Sequence, residues 1–187
     1  MNATDKRVIR TKKAINDALA DCLLENNLES ITVSKITEAA GVSRMAFYYH
    51  YEDIYDLYNQ FEFEFFNDFK NLFHESPSHN YRETMFAMMD FLKDNASAVK
   101  YFSLISKNRL FRSELASVIE EKFTEIVMFE MGITELNDYL KYFIAYHSGG
   151  MYSVFINWIE SNFSYPKTEI LDLIKEIDER CDPLYHK

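Results

Sequence analysis

Apolar residues recur along this chain at steps of three and four, and that spacing predicts a succession of helices. From about Thr4 to Asn26, Val8, Ile15, Ala18, Leu19, Cys22 and Leu23 share one face. Lys6, Arg10, Lys13, Asp17 and Asp21 share the other. After Asn26-Asn27, a shorter pattern of Val33, Ile36, Ala39 and Ala40 follows Thr32, a hydroxyl residue suited to cap it. Lys35 stands where a capping box would carry Glu or Gln. Gly41 ends this helix, because glycine enters the left-handed conformation without a side-chain penalty. Ser43 caps a third short helix from Arg44 to about His50, with Phe47 and Tyr51 inward alongside Val42. Two short helices joined by Gly41-Val42-Ser43 describe a helix-turn-helix. In that arrangement only the outward residues of the second helix reach a DNA major groove.

The remaining pattern is longer-ranged. A helix is expected over Ile54 to Phe73, with Ile54, Leu57, Tyr58, Phe61, Phe65, Phe69 and Phe73 inward, and His74–Asn80 reads as a loop. Further helices are expected over Tyr81–Asn95 and Arg112–Met131, with a less regular Ala96–Leu110 holding one short helix. From Thr134 to Phe163, Leu140, Ile144, His147, Met151, Val154 and Trp158 alternate at steps of four and three. The opposite side carries Tyr142, Tyr146, Tyr152, Ile156 and Ile159, and no formal charge occurs from Tyr142 to Ile159. Such a helix is expected to be buried nearly all round. Its many hydroxyl and amide groups argue against a membrane span. Two explanations stay open: a central helix within a monomer, or a helix shared between two copies, with Gly149-Gly150 allowing close approach. Pro166 opens a last helix with apolar face Ile170, Leu173, Ile174 and Ile177. On the second explanation Gly149, Tyr152, Ile156, Ile170 and Ile174 belong to the interface between copies.

Composition sharpens this. The chain has 187 residues, 48% of them hydrophobic, with four glycines and three prolines. So few breakers cannot punctuate an all-β fold, which leaves an all-α chain of about nine helices. Cys22 and Cys181 suit a reduced compartment, and the polar start lacks a signal core, so the expectation is cytoplasmic. The net charge of −10 is unevenly spread. Residues 1–52 carry seven basic and seven acidic side chains, and the whole excess of negative charge lies in 53–187. Five of the seven basics fall between Lys6 and Lys13. This fits an anion-binding head on an acidic body, and equally a solvated helix start. No phosphate-cradling glycine loop, nucleophile elbow or zinc-binding histidine pair occurs, so neither a catalytic site nor a bound metal or cofactor is expected.

The stretch Thr32-Val-Ser-Lys-Ile-Thr-Glu-Ala-Ala-Gly-Val-Ser-Arg-Met-Ala-Phe-Tyr-Tyr-His-Tyr51 resembles the DNA-binding segment of the TetR family of bacterial regulators. The combination of Ala-Gly-Val-Ser with Phe-Tyr-Tyr-His-Tyr carries the likeness, which covers about residues 7–57. The end of the chain, from Gly149-Gly150 through Trp158 to Pro166, shows a weaker likeness to regulators of dihydroxyacetone-kinase operons. The resemblance implies a homodimer with a three-helix DNA-binding domain (1–52) and a helical-bundle domain for effector binding and dimerisation (53–187). It implies a double-stranded operator and release when a small effector occupies the bundle.

On that basis roles can be assigned. Arg44 is suited to a bidentate contact with guanine, Met45 to a thymine methyl, and Tyr48 to a base through its ring or hydroxyl. Tyr49 and His50 match positions that hold phosphates in the family. Thr32 and Ser34 open a helix where free amides favour an anion, as Ser43 does for the next. Lys6, Arg7 and Arg10 form a looser electrostatic arm. Many family members carry a Thr and two lysines where this chain has Ala46, Glu52 and Ile54, which implies fewer phosphate contacts. The distal interior of Met85, Met88, Met89, Phe102, Phe123, His147, Met151 and Tyr152 is either plain core or the lining of a cavity for a small, partly apolar or aromatic effector. Ligand-responsive repression is the main expectation. A coactivator of the same fold that touches DNA weakly or not at all is the alternative.

Overall fold

The computed structural model describes residues 3–74, 80–106 and 110–181, leaving aside the side chains of 3–5, 73, 74, 81 and 178–181. Among the described residues the chain is all-α: nine α-helices, a 3-10 turn, a short π-helical stretch and no strand. Helix α1 spans Ala3–Glu25, α2 Val33–Ala39, α3 Arg44–Tyr48, α4 Ile54–His74 and α5 Tyr81–Asp94. Then come α6 Ala96–Lys100, α7 Leu110–Met131, α8 Asp138–Glu160 and α9 Lys167–Cys181. The 3-10 turn Leu28–Ser30 joins α1 to α2, and the π stretch Tyr101–Ile105 continues α6. Of the expected 74–80 loop, His74 ends α4 and Asn80 caps α5, while residues 75–79 lie outside the described residues.

Side-chain caps fix most helix starts. The Thr32 hydroxyl accepts from the Lys35 amide at 3.3 Å, and the Ser43 hydroxyl accepts from the Ala46 amide at 3.1 Å. At α4 the Asp53 carboxylate accepts from the Asp56 amide at 2.8 Å, and the Asp56 carboxylate accepts from the Glu52 amide at 2.9 Å. The hydrogen bond from Gln60, then that from Glu52, holds the Asp56 carboxyl below its ordinary range. Between α2 and α3, Gly41 takes φ +64°, which turns the chain so that the Val42 amide reaches the Thr37 carbonyl at 3.0 Å.

The chain divides into two compact units. The first joins Met1–Asp68 to Ser97–Lys107, so the division runs through α4, and the expected boundary at 52/53 falls inside this unit. Its core is Ile15, Leu19, Leu23, Ile36, Phe47, Tyr51 and Leu57, all essentially without exposure. The returning segment 97–106 packs on α1 and on α4. Ser97 donates to Asp21 at 2.5 Å, Tyr101 meets Tyr58 edge-on, and Phe102 lies 5.0 to 5.5 Å from Phe61, Phe65 and Phe66.

The second unit comprises Phe69–Ala96 and Asn108–Lys187. Here α7 packs along α8 and α5 along α9. Met85, Met88, Met89, Leu92, Phe111, Leu115, Ile119 and Phe155 are fully buried. Arg82 pairs with Asp172 at 2.8 Å, and Lys167 pairs with Asp90. On α9, Ile170, Leu171 and Ile174 are buried, whereas Leu173 and Ile177, expected inward, stay about half exposed. The apolar arc of α9 is wider than the ridge its own bundle covers, and Leu171 occupies the place expected of Leu173. Helix α8 is likewise buried on one side only: Tyr139, Tyr142 and Tyr146 project outward. Among the described residues no helix is long and apolar enough to cross a membrane.

Candidate nucleic-acid interface

The first unit presents an unusual surface for so small a helix. Helix α3 has five residues, yet Arg44, Met45 and Tyr48 are exposed, as is Tyr49 at its end. Met45 is 84% exposed and Tyr49 79%, large apolar areas left in water that burial would normally remove. Their outward aim follows from one anchor. Phe47 is completely buried, meets Tyr48 edge-on at 5.5 Å and leans on Tyr51 at 5.6 Å. With Phe47 inward, Met45 falls on the opposite side of the helix and Tyr48 to the side, while Arg44, one turn before Phe47, is exposed at the flank where the helix begins.

The polar residues beside this row are partly organised. An Arg44 guanidinium nitrogen donates to the Ser34 hydroxyl at 2.5 Å, joining the starts of α2 and α3. Thr32 and Ser43 use their oxygens as cap acceptors, and each keeps its hydroxyl proton for another partner. His50 is half-buried against the edge of Tyr49 at 4.9 Å. Burial first, then the nearby Lys12 charge, lowers its imidazole below the ordinary value. Tyr51 is pushed far above the ordinary phenol range by burial and by Glu64.

The basic arm is divided. Lys6, Arg7 and Arg10 are exposed. Lys12 is instead tied to Glu64 at 2.6 Å and lies over the Tyr51 ring, and Lys13 pairs with Asp17 at 3.2 Å. Glu52 is exposed, while Ile54 is only 7% exposed and so belongs to the core. A groove of about 420 Å³ between α1 and α2 has Asp17, Asp21, Glu25 and Lys35 as the charged part of its lining. Three carboxylates against one ammonium make it a poor seat for phosphate.

The expected effector residues fall in different units. Met85, Met88, Phe123, His147 and Met151 are buried in the second unit, whereas Phe102 is buried in the first. His147 lies between aromatic rings, 4.2 Å from Phe143 and 5.8 Å from Phe123. The residues expected between copies also divide. Gly149 is exposed and Tyr152 half-buried, but Ile156, Ile170 and Ile174 are buried inside the protomer. The outward row on α8 consists of Tyr139, Tyr142, Tyr146, Gly149, Gly150, Ser153 and Asn157. The Arg44–Ser34 contact and the Lys12–Glu64 pair were not foreseen, since neither spacing has a sequence signature. Among the described residues no group of His, Cys, Asp or Glu converges as a metal site would.

Two family patterns cover most of the chain. That described as "Bacterial regulatory proteins, tetR family" matches residues 15–61, and "Transcriptional regulator C-terminal region" matches residues 79–179. A curated relative, the HTH-type transcriptional repressor BepR of Brucella suis, is 24% identical over 127 residues, which is 64% of this chain. The match spans 61% of that relative's length. Among solved structures, the dihydroxyacetone kinase operon activator DhaS aligns with a TM-score of 0.62 at 20% identity, over 89% of this chain and 94% of that one. The fatty acid degradation regulator FadR from Bacillus halodurans aligns with a TM-score of 0.52 at 19% identity, over 89% and 93%. At these identities the two structures speak for the fold, which a helix-turn-helix head with exposed Arg44 and Tyr48 already implied. The chain belongs to the TetR family of bacterial regulatory proteins and is a transcriptional regulator rather than an enzyme.

Proposed function

We propose that this chain is a cytoplasmic transcriptional repressor that holds a palindromic operator as a homodimer and releases it when a small molecule enters the second unit. The observation that carries the reading is the outward row of Arg44, Met45, Tyr48 and Tyr49 on a capped helix anchored by buried Phe47. Arg44, Met45 and Tyr48 read base edges in the major groove. Thr32, Ser34, Ser43, Tyr49 and His50 meet phosphates, with Lys6 and Arg10, exposed on α1, as a looser electrostatic arm. A repressor's name attaches to BepR, and repression is carried to this chain on that relative alone.

Symmetric pairing is supported by α8. A Cβ built at Gly149 or Gly150 meets nothing within 4 Å, so the protomer itself has no need of glycine there. Each costs a helix about 1 kcal/mol relative to alanine. The exposed tyrosines Tyr142 and Tyr146 flank that smooth stretch, with Ser153 and Asn157 beyond it. Leu173 and Ile177 give α9 an apolar outer side as well. Tyr152 is half-buried and offers part of its ring, whereas Ile156, Ile170 and Ile174 are buried within the protomer and contribute to the pairing only through the fold. For the effector, Met85, Met88, Phe123, His147 and Met151 offer a methionine-rich interior able to reshape around a guest. His147 is its polar handle, so the guest is small and partly apolar or aromatic.

A second reading, a coactivator that contacts DNA weakly or only with a partner protein, rests on Glu52. Its exposed carboxylate stands where a phosphate-binding lysine is common in the family. One experiment separates the two. Sequences bound by the chain are selected from random DNA, and Arg44→Ala and Tyr48→Ala are compared on them. Loss of binding with the dimer intact supports direct readout. Unchanged regulation supports the partner-dependent reading.

A further inference from the structure

We propose that Ser34 is a positioning residue for base recognition, one that holds the Arg44 guanidinium in the pose that reads a base. This rests on the reading of α3 as the element that enters the groove. Ser34 lies in the first turn of α2 and is half-buried. Its helix is pinned by Ile36 and Thr37, both buried. Arg44 is the first residue of α3 and is exposed, so nothing else about its own helix fixes its long side chain. The Nη2 to Oγ distance of 2.5 Å ties the mobile group to the fixed one.

The donor count makes the contact compatible with reading. A guanidinium carries five N–H groups in a planar fork, and Nη2 has two of them. One goes to Ser34, and the other remains to pair with a neighbouring nitrogen of the fork in a two-pronged contact to guanine. The serine oxygen accepts from Arg44, and its proton stays free to donate to a phosphate. Ser34 thereby couples the depth at which α2 meets the backbone to the angle at which Arg44 meets the base. Without it Arg44 keeps its charge and its attraction for DNA but loses the pre-set direction on which discrimination depends.

The test uses the full chain and duplexes selected by it from random DNA, together with copies in which each base pair of the half-site is changed in turn. Ser34→Ala, Ser34→Thr, Arg44→Ala and the Ser34→Ala/Arg44→Ala double variant are compared, with thermal unfolding as the control for folding. The expected result is that Ser34→Ala loses about tenfold in discrimination at the base pair where Arg44→Ala loses most. Its affinity for altered duplexes falls only by the small uniform share owed to its phosphate contact, Ser34→Thr restores the preference, and once Arg44 is gone the serine change costs only that uniform share. An equal loss on every duplex with no added loss at the base pair that Arg44 reads, or a loss of discrimination there that is as large in the Arg44→Ala background, makes Ser34 a phosphate contact only and overturns the proposal. Arg44→Ala weakening binding while Ser34→Ala matches the wild type overturns it and leaves the reading of α3 standing. Failure of Arg44→Ala to alter binding, or recovery of no sequence at all, overturns both.

Discussion

Lys12 Nζ lies 2.6 Å from Glu64 Oε1, and this ion pair ties the first helix to the fourth across the reading head. Asn16 donates to the other oxygen of Glu64 at 3.3 Å, and the Tyr51 hydroxyl donates to Asn16 at 3.4 Å. Both charged groups keep roughly a third of their side-chain surface in water, so solvent screens the attraction. Glu64→Ala removes the partner of two donors at once. We expect a loss of about 1 kcal/mol in urea unfolding of the full chain. An unchanged midpoint and slope would show the pair to be fully screened.

Salt dependence reports how many phosphates the head neutralises. With Glu52 exposed and Ile54 buried, the family's two lysine contacts are missing. Log affinity against log salt is therefore expected to be shallow. Glu52→Lys is expected to tighten binding and steepen the slope by about 0.9 for each phosphate gained. A steep slope in the wild-type chain contradicts this account.

Two opposite pH effects are expected from His50. Its imidazole is held below the ordinary 6.5 by burial and by Lys12. Above that value the ring is neutral in the folded and unfolded chain alike, and the full stability is present. As pH falls through and below it, the unfolded chain takes up the proton first, so the head loses stability. A phosphate at His50 favours the charged ring instead, so DNA affinity rises over the same fall in pH while the head remains folded. Unfolding and DNA titrations between about pH 7.5 and 6 should therefore move in opposite directions, and His50→Gln should flatten both.

Replacing Gly149 and Gly150 by alanine should separate the protomer from the pair. Each change is expected to favour the helix by up to about 1 kcal/mol, because glycine is the poorer helix former and there is open space for the methyl group. Self-association, read by sedimentation at several concentrations, should weaken if two α8 helices cross there. Unaltered association would place the crossing elsewhere.

The helix-turn-helix was legible because local rules decide it. Thr32, Gly41 and Ser43 mark the ends of short helices, and the inward Phe47 sets which residues look out. What escaped was decided by partners far along the chain. Phe102 read as distal interior, yet it stacks among Phe61, Phe65 and Phe66 of the first unit. No periodicity announces that a segment returns to an earlier helix. On α9, the choice between Leu171 and Leu173 depends on where α5 lies, and both satisfy a helical period. The π stretch after α6 shifts register by a residue, a change that spacing rules for α-helices do not see.

The return of residues 97–106 to the reading head has a practical consequence for anyone building chimaeras. A fragment cut after Asp68 would expose three phenylalanine rings whose lid, Phe102, is encoded some thirty codons downstream. Such a fragment should clump. Grafting this head onto another sensor calls for transplanting both pieces together, because its solubility is written in two separate places in the gene.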